Sequence, residues 1–488
     1  MQPFITMADQ IQPFTFLSLV YSEAISCDYS AIFFLKMDDS ANAEGYLHKR
    51  LSIHFEYRGD KETLGGVVTQ IKKIDNFSRS YEMTLRPSFA LLVTEQHSRT
   101  FVGWSILRVI HFIMNTHPQI IVDYSRLRKK YQPLEYVVQY HETDYYFLKR
   151  IMAEQGIYYY YNADVIVLCD DSTGYIDYKC PLQDVILFRK HQHLIPEALR
   201  LQSPTVLTAY NLAKRNNIIH TIYPSLAFTQ YERNQELIQY RHRYKQVEIE
   251  VQLVSDYLGL HLASRIFKEQ HYVIKEIYHQ FYNVRGVIYY SNQCYCIPSD
   301  RLLCLPLLPR PVIKESLMAH VVAIDASQQL RVRLRYSWDE RQQDSPWCRV
   351  RQYWCGDGYG SQFLPQLADL VRIRYVNGDL TRPIVMGACT HPLFEGLKFG
   401  SHTAYGMLTS SQLTLYAQGE FSIKSQQQLY VHAGQGITIK NFEKMPSLIE
   451  AAQSVINAGQ SWRLQVGDSY IELAEGKLVI AAQRIELN

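Results

Sequence analysis

The stretch Gln412–Lys440 has the sequence QLTLYAQGEFSIKSQQQLYVHAGQGITIK, in which two apolar residues separated by one position recur every eight residues. These pairs are Leu413/Leu415, Phe421/Ile423, Leu429/Val431 and Ile437/Ile439. After an interruption, similar pairs return every seven residues, as Ile471/Leu473, Leu478/Ile480 and Ile485/Leu487. Each unit therefore predicts one short strand with a single apolar face, followed by a polar turn.

A strip of such strands cannot bury its own apolar face, and a stack of them leaves long open edges. The chain can wind into a solenoid, or three copies can wrap around one axis and bury the pairs between them. A plainer alternative is an antiparallel meander packed on the preceding domain. The period favours an intertwined or solenoidal β-structure over 401–488, which we call the needle. We expect a short helix near 447–458 to interrupt it before Gly459.

Upstream of the needle, residues 318–395 contain five segments in which apolar and polar residues alternate: 319–324, 330–336, 347–353, 371–376 and 384–387. Five strands in so short a stretch predict a small closed β-barrel of the OB kind, with an SH3-like barrel as the alternative. The segment 301–317 holds Pro306, Pro309 and Pro311 and is predicted to be a semi-rigid linker.

Residues 1–300 are predicted to be mostly strands with two helices. Helical spacing of Val102, Ile106, Val109, Ile110 and Ile113 predicts a helix near 101–115, with Thr100 as its cap. A second helix near 143–155 is expected to begin at Thr143 and end at Gly156. The segments 158–161 and 165–168 then predict a hairpin, and 258–267 another helix.

Composition excludes several classes of protein. The 488 residues include 50 basic and 47 acidic side chains, so a net charge of +3 gives no electrostatic sign of a dedicated nucleic-acid-binding protein. The nine cysteines form no CxxC motif, which leaves a zinc finger or a thioredoxin-type site without support. Because the first lysine is Lys36 and Asp9 lies where a basic segment would be, we expect no signal peptide and synthesis in the cytoplasm.

No catalytic motif of the HExxH, GxSxG, Walker or GxGxxG type occurs. The pair His191 and His193 has metal-like spacing but no nearby carboxylate or cysteine, and Cys348 and Cys355 have no histidine close in sequence to activate them. Adjacent carboxylates at 38–39 and 170–171 would point apart on a strand and are predicted to be turn residues. The glycine-rich run 353–360 leads toward another strand, so it predicts a tight loop rather than a phosphate site. We therefore predict no catalytic residue, no cofactor and no metal site.

The barrel strands should carry one basic face. Arginines alternate with apolar residues on these strands: Arg331, Arg333, Arg335, Arg349, Arg351, Arg372 and Arg374. Such a face is compatible with nucleic acid. It is equally compatible with ion pairs to a neighbouring subunit, which the near-neutral net charge favours.

Several runs, in order along the chain, resemble the VgrG spike proteins of type VI secretion, which are kin to the hub and spike proteins of contractile phage tails. The runs are QYHETD at 139–144, FLKR at 147–150, EQGIYY at 154–159, VIKEIYH at 273–279, SPWCRV at 345–350, GSQFLP at 360–365 and GDLTRPIVMG at 378–387. One departure stands out: the family's Pro-Arg-x-Gly-x-Glu pattern is replaced after Pro365 by Gln366 to Leu370.

The resemblance implies a mainly β fold: a hub-like double β-barrel with helical insertions over 1–300, an OB barrel, and a trimeric β-helix or β-prism. The apolar pairs from Leu413 to Ile480 would form the trimer core of that needle. Ile485, Leu487 and Asn488 would form the tip that binds a PAAR-type protein. Other implied partners are an Hcp-type tube hexamer, baseplate proteins, effectors and, transiently, the target membrane, but no nucleic acid.

The implied function is a structural spike that is exported through the secretion apparatus to the extracellular space or a target cell. Only about a dozen residues separate Gly387 from Ser401, and the chain stops at Asn488 within the last repeat. We therefore expect no inserted or appended enzyme. A prophage tail hub remains an alternative, and so does a cell-wall hydrolase on a spike scaffold, which a cleft with a perturbed carboxylate in the N-terminal region would favour.

Overall fold

The structure is a computed structural model that describes residues 4–7, 10–11, 14–37, 43–74, 79–177, 185–192, 198–202, 207–211, 219–222, 249–267, 270–300, 308–327, 330–357, 359–389, 407, 409, 412–433, 461–474 and 476–485. The chain divides into two compact units, 1–397 and 398–488. In the part of the chain that the structure describes, no helix is long and apolar enough to cross a membrane.

The N-terminal part of the first unit is built from strands. In chain order these are β1 (Phe4–Met7), β2 (Gln10–Ile11), β3 (Phe14–Ala24), β4 (Cys27–Met37), β5 (Arg50–Tyr57), β6 (Asp60–Lys73), β7 (Ser80–Arg86), β8 (Gln96–Trp104), β9 (Val122–Arg126), β10 (Leu134–Thr143), β11 (Tyr158–Asn162), β12 (Val165–Cys169), β13 (Ile176–Asp177), β14 (Val185–Gln192), β15 (Ala198–Gln202), β16 (Leu207–Asn211), β17 (Ile219–Ile222), β18 (Ile249–Ser255), β19 (Ser264–Phe267), β20 (His271–Val284) and β21 (Val287–Pro298).

Thirteen of these strands form one sheet, in the order β14-β18-β21-β20-β3-β4-β7-β6-β5-β1-β2, with β13 and β19 attached beside β20. Three smaller sheets contain β8 with β10, β9 with β11 and β12, and β15 to β17. Buried and exposed residues alternate along the strands of the large sheet, as expected when one face covers a core. Along β4, every second residue from Tyr29 to Met37 is buried, while the residues between them are at least partly exposed. Two separate hydrophobic cores lie in this region, one around Phe33 and Phe147 and one around Ile274 and Cys294.

Two α-helices pack against this region, α1 (Ile106–Asn115) and α2 (Asp144–Gln155). The predicted start of the first helix at 101 is wrong, because β8 continues through Trp104, where it pairs with β10, and Ser105 caps the helix. The second helix is confirmed: Thr143 caps its start, and Gly156 ends it in the left-handed conformation at φ +71°. The hairpin of β11 and β12 is also confirmed. The helix predicted at 258–267 is wrong, since this segment holds a loop followed by β19.

The barrel follows with β22 (Leu317–Ile324), β23 (Arg331–Tyr336), β24 (Cys348–Val350), β25 (Cys355–Gly356), β26 (Tyr359–Gly360), β27 (Leu370–Tyr375) and β28 (Pro383–Ala388). Five of them close in the order β22-β23-β24-β28-β27. Short 3-10 helices lie at Ala43–Tyr46, Ser88–Val93, Ser172–Gly174 and Val376–Gly378. The described part of the predicted linker is not a free spacer: Ile313 is buried in the barrel core, and its N–H donates to the Gly378 carbonyl.

In the second unit, β29 (Ser461–Val466), β30 (Ser469–Ala474) and β31 (Lys477–Ala481) form an antiparallel meander. The short strands predicted at the pairs Leu413/Leu415, Phe421/Ile423 and Leu429/Val431 are not formed in the single chain, because residues 412–433 have no described neighbouring strand to pair with. Three predicted features lie outside the described residues: the 447–458 helix, the pair Ile437 and Ile439, and the tip residues Leu487 and Asn488.

Candidate functional site

The loop between β23 and β24 packs the barrel against the N-terminal region. We call its residues 337–345 the junction loop. The carboxylate of Asp339 is 1% exposed and accepts hydrogen bonds from the Thr100 N–H at 2.9 Å and the Thr100 hydroxyl at 2.6 Å. It also accepts from the Gln343 N–H at 2.8 Å. One buried carboxylate therefore organises the junction loop and ties it to β8.

The next two residues of the loop extend this attachment. Glu340 accepts from the Ser98 N–H at 2.8 Å and from the Arg99 side chain at 3.1 Å. The Arg341 guanidinium donates to the Thr100 carbonyl at 2.9 Å and lies over the Trp104 ring, 4.2 Å from its centroid. Since charged hydrogen bonds and cation–π contacts combine here, the loop is fixed in orientation as well as in position.

The two regions also share apolar core. Tyr136 and Val138 of β10 are buried in the same cluster as the barrel residues Leu334 and Tyr336. The Trp338 ring stacks on Tyr336 with 4.9 Å between centroids and meets Tyr140 of β10 edge to face at 5.1 Å. The shared core and the polar contacts of the junction loop pack the N-terminal region and the barrel into one compact unit.

A network of ion pairs around Arg150 connects α2 to the end of β10 and to the segment that leads into the barrel. Arg150 of α2 forms two bonds to the Glu142 carboxylate, at 2.9 and 2.6 Å, and donates to the Val138 carbonyl. Its guanidinium also reaches Glu154, whose other partner is Arg310 in the segment that leads into the barrel. The runs at 139–144, 147–150 and 154–159 therefore meet in space around Arg150.

We expect this network to give the protein an acid-sensitive stability. Burial opposes ionisation of Glu154, but Arg310 and Arg150 outweigh it and hold the pKa of that carboxyl below its ordinary value of 4.5. A lowered folded-state pKa stabilises the fold above the unfolded pKa, and this contribution is lost as the pH falls through the folded value. The midpoint temperature of thermal unfolding should therefore fall less for Glu154→Gln than for wild type between about pH 5 and pH 3. The exposed Glu315→Gln should follow wild type, and equal pH slopes for wild type and Glu154→Gln would contradict the assignment.

A cavity of about 240 Å³ in the N-terminal region contains the perturbed carboxylate that the hydrolase alternative requires. Burial raises the pKa of Glu62 above its ordinary value, His261 opposes this shift and Glu23 adds to it. Glu23 lies 3.2 Å from Nε2 of His279, whose Nδ1 lies 2.9 Å from the Tyr290 hydroxyl. The cavity is smaller than the roughly 300–1,000 Å³ that is usual for ligand sites, so it offers little room for a glycan strand.

The other residues considered as catalytic or metal-binding candidates form structural contacts or lie outside the described residues. Asp170 accepts from the Arg128 and Lys129 N–H groups and the Tyr131 hydroxyl, while Asp171 caps a 3-10 helix, as predicted for turn residues. His191 lies on β14, whereas His193 and the pair at 38–39 lie outside the described residues. Burial raises the pKa of the Cys348 thiol to about 11, which makes it a poor nucleophile. Within the described ranges, no group of three His, Cys, Asp or Glu side chains is placed to hold a metal ion.

The single chain does not bury the residues that were predicted to form the needle core. In the first set, exposures between 46% and 64% are found for Leu413, Leu415, Phe421, Ile423, Leu429 and Val431. In the second set, exposures of at least 38% are found for Ile471, Leu473, Leu478 and Ile480, and the predicted tip residue Ile485 is 52% exposed. This differs from the burial expected of a core, because one strip has no second apolar face of its own to pack against.

Contiguous apolar surface of this kind is typical of an interface. Leu415 and Ile423 are 63% and 62% exposed, which is among the highest exposures of the set. The other member of each of their pairs is exposed as well. The role of these residues as a trimer core stays a prediction.

The large β-structure with inserted helices and the closed five-stranded barrel each match a family model from the baseplates of contractile machines. Residues 22–198 match the family model for the phage tail baseplate hub. Residues 317–389 match the model for the type VI secretion system/phage-baseplate injector OB domain. The mainly β fold class and the OB barrel are thus confirmed.

Within that class the chain is related to the VgrG spike proteins. It is 26% identical to the type VI secretion system spike protein VgrG1a of Pseudomonas aeruginosa over 405 residues, 70% of this chain and 62% of the relative. It is 24% identical to VgrG3 of Vibrio cholerae over 477 residues, 84% of this chain and 44% of the relative. The chain thus spans less than two thirds of the length of both relatives. The resemblance predicted from the sequence is confirmed.

Among solved structures, the E. coli c3393 protein has the same fold. That protein is a component of the type VI secretion system with structural similarity to the T4 bacteriophage tail proteins gp27 and gp5. The match has a TM-score of 0.59 at 18% identity and covers 79% of this chain and 99% of that one. Together these comparisons show the fold and a relationship to type VI secretion system spike proteins.

Proposed function

We propose that this chain forms a trimeric structural spike at the tip of a contractile injection machine, which pierces a target membrane and carries tip proteins or effectors. The observation that carries the proposal is the strip of apolar pairs that the single chain leaves exposed. Three copies wound around one axis would bury these pairs and close every strand edge, giving a stiff needle.

The clamp at the junction loop supports the mechanical part of the proposal. A spike must pass an axial push from its base to its point. A buried carboxylate that accepts from four donor groups, together with a shared aromatic core, leaves little freedom between the N-terminal region and the barrel. In this assignment, 1–300 is the hub-like double barrel, 301–317 leads into the OB domain at 318–395, and 401–488 is the needle.

The partners that we propose follow from the same assignment. An Hcp-type tube hexamer would meet the hub, a PAAR-type protein would cap the tip at Ile485, Leu487 and Asn488, and effectors or baseplate proteins would bind the outside. The protein would be exported from the cell through the secretion apparatus, at whose tip it lies. A prophage tail hub remains the alternative within this class, since the family model that matches residues 22–198 is that of a phage hub.

We infer a structural rather than a catalytic role. Glu62 and Glu23 share a cavity that is small for a glycan, and each lies beside a histidine. We therefore expect the purified protein to release no soluble fragments from peptidoglycan, at neutral or at mildly acidic pH. Activity that Glu62→Gln abolishes would instead support the hydrolase alternative.

The deciding experiment is the absolute mass of the purified protein in solution by light scattering. Three times the chain mass of 57.0 kDa is expected for the spike. A mass of one chain would mean that the apolar strips do not bury each other, and the proposal would fail.

A further inference from the structure

The connection between β24 and β27 carries a small hairpin, residues 353–361, which we call the aromatic hairpin. Its strands β25 and β26 pair through Cys355 and Gly360. The Ser361 N–H donates to the Trp354 carbonyl at 2.7 Å, and a side chain at Gly360 would collide with that same carbonyl, because a Cβ there would lie 2.6 Å from its oxygen. The backbone of the hairpin is therefore held by its own contacts.

This fixed hairpin presents its side chains to solvent. Tyr353 is 94% exposed, Trp354 64% and Tyr359 56%. Asp357 lies at the turn, and no described residue forms an ion pair or a hydrogen bond with its carboxylate. Exposed Trp and Tyr side chains on a rigid support are typical of interface hot spots.

Four arginines of the same barrel form a basic face that has no acidic partner among the described residues. Arg349 and Arg351 lie on or directly after β24, Arg372 and Arg374 on β27, and all four are exposed. No carboxylate of the described residues pairs with these four guanidinium groups, although Arg331 and Arg335 pair with Asp325 and Asp344. Arg349 also lies directly opposite Arg331 across the two strands, an arrangement of like charges that destabilises a sheet.

We propose that the aromatic hairpin of one copy docks on the basic face of the next copy around the threefold axis, an inference that rests on the trimeric spike proposed above. Trp354 and Tyr359 would stack on guanidinium groups, and Asp357 would accept from Arg372 or Arg374. The chain already uses this chemistry internally, since Arg333 lies over the Trp347 ring at 4.7 Å.

The occupant of the basic face is a second copy for two reasons. The chain offers both halves of the contact, and a contact between unlike surfaces closes into a ring under threefold symmetry. Nucleic acid fits less well, because the net charge of the chain is only +3.

The test places the photoreactive residue p-benzoylphenylalanine at Tyr359 of the full-length chain. Co-expression of isotope-labelled and unlabelled copies separates inter-chain from intra-chain products in mass spectrometry. We expect inter-chain products on residues 370–375. The same probe at Tyr282, an exposed tyrosine of β20, is the matched control and should not label this segment.

A charge exchange then tests the pairing. Asp357→Arg should remove the inter-chain product, and Asp357→Arg combined with Arg374→Asp should restore it. A trimer whose products lie elsewhere, or retention of DNA that Arg374→Asp abolishes, would overturn this contact and leave the spike proposal standing. A protein with the mass of one chain would overturn both.

Discussion

Replacing Leu429 or Val431 with aspartate should abolish the trimer while leaving the N-terminal region and the barrel folded. In the proposed needle these side chains face the threefold axis, so one substitution places three carboxylates in an apolar core. A buried charge without a partner costs several kcal/mol, and three of them cost on the order of 10 kcal/mol. Light scattering should therefore give the mass of one chain, with the circular dichroism of the first unit retained.

Tyr430→Asp is the matched control for this prediction. Tyr430 lies between the two test positions, and because side chains alternate along a strand it faces outward in the needle. The same new charge there should leave the trimer intact. If Leu429→Asp and Tyr430→Asp behave alike, whether both trimeric or both monomeric, the assignment of the apolar face is wrong.

The parts of the fold that the sequence predicted are those in which local pattern and tertiary packing agree. Strands β23 and β27 of the barrel alternate apolar and basic residues, and the structure closes them with three others into one barrel. Thr143 and Gly156 mark the ends of α2 because capping depends on a few neighbouring residues. Both are short-range signals.

The errors arose where tertiary contacts override a local pattern. Residues 101–104 fit the helical spacing of the residues that follow, yet pairing with β10 keeps them extended. The roles of Asp339 and Arg341 could not be predicted either, because their partners lie about 240 positions away, on β8. The only signal was a short acidic and basic cluster after Trp338 in a loop between two apolar strands.

The apolar pairs show a different limit. Strands at Leu415 and Ile423 were predicted from the eight-residue period, but a strand exists only where a neighbour supplies hydrogen bonds, and residues 412–433 have none among the described residues of one chain. The period identifies which side chains share a face. It does not identify what covers that face.

Asp339→Ala should loosen the attachment of the barrel without dissociating the trimer. The substitution leaves the buried N–H of Thr100 and the half-buried N–H of Gln343 without an acceptor, and it removes the Asp339 charge beside Arg341. Each buried donor that loses its partner costs about 1–3 kcal/mol, so we expect a loss of roughly 2–4 kcal/mol in local stability. Hydrogen exchange should show faster exchange at Thr100 and along the junction loop, while light scattering still gives three chain masses.

Asp344→Ala separates this effect from the general loss of a carboxylate. Asp344 lies in the same junction loop, but its ion pair with Arg335 is exposed, with 42% of the Asp344 side chain accessible. Exposed pairs contribute no more than about 1 kcal/mol, so exchange at Thr100 should stay close to wild type. If Asp339→Ala exchanges no faster than Asp344→Ala, the clamp is not what makes the two regions rigid. The push from hub to needle would then depend on the shared aromatic core, and Trp338→Ala would be the variant that uncouples them.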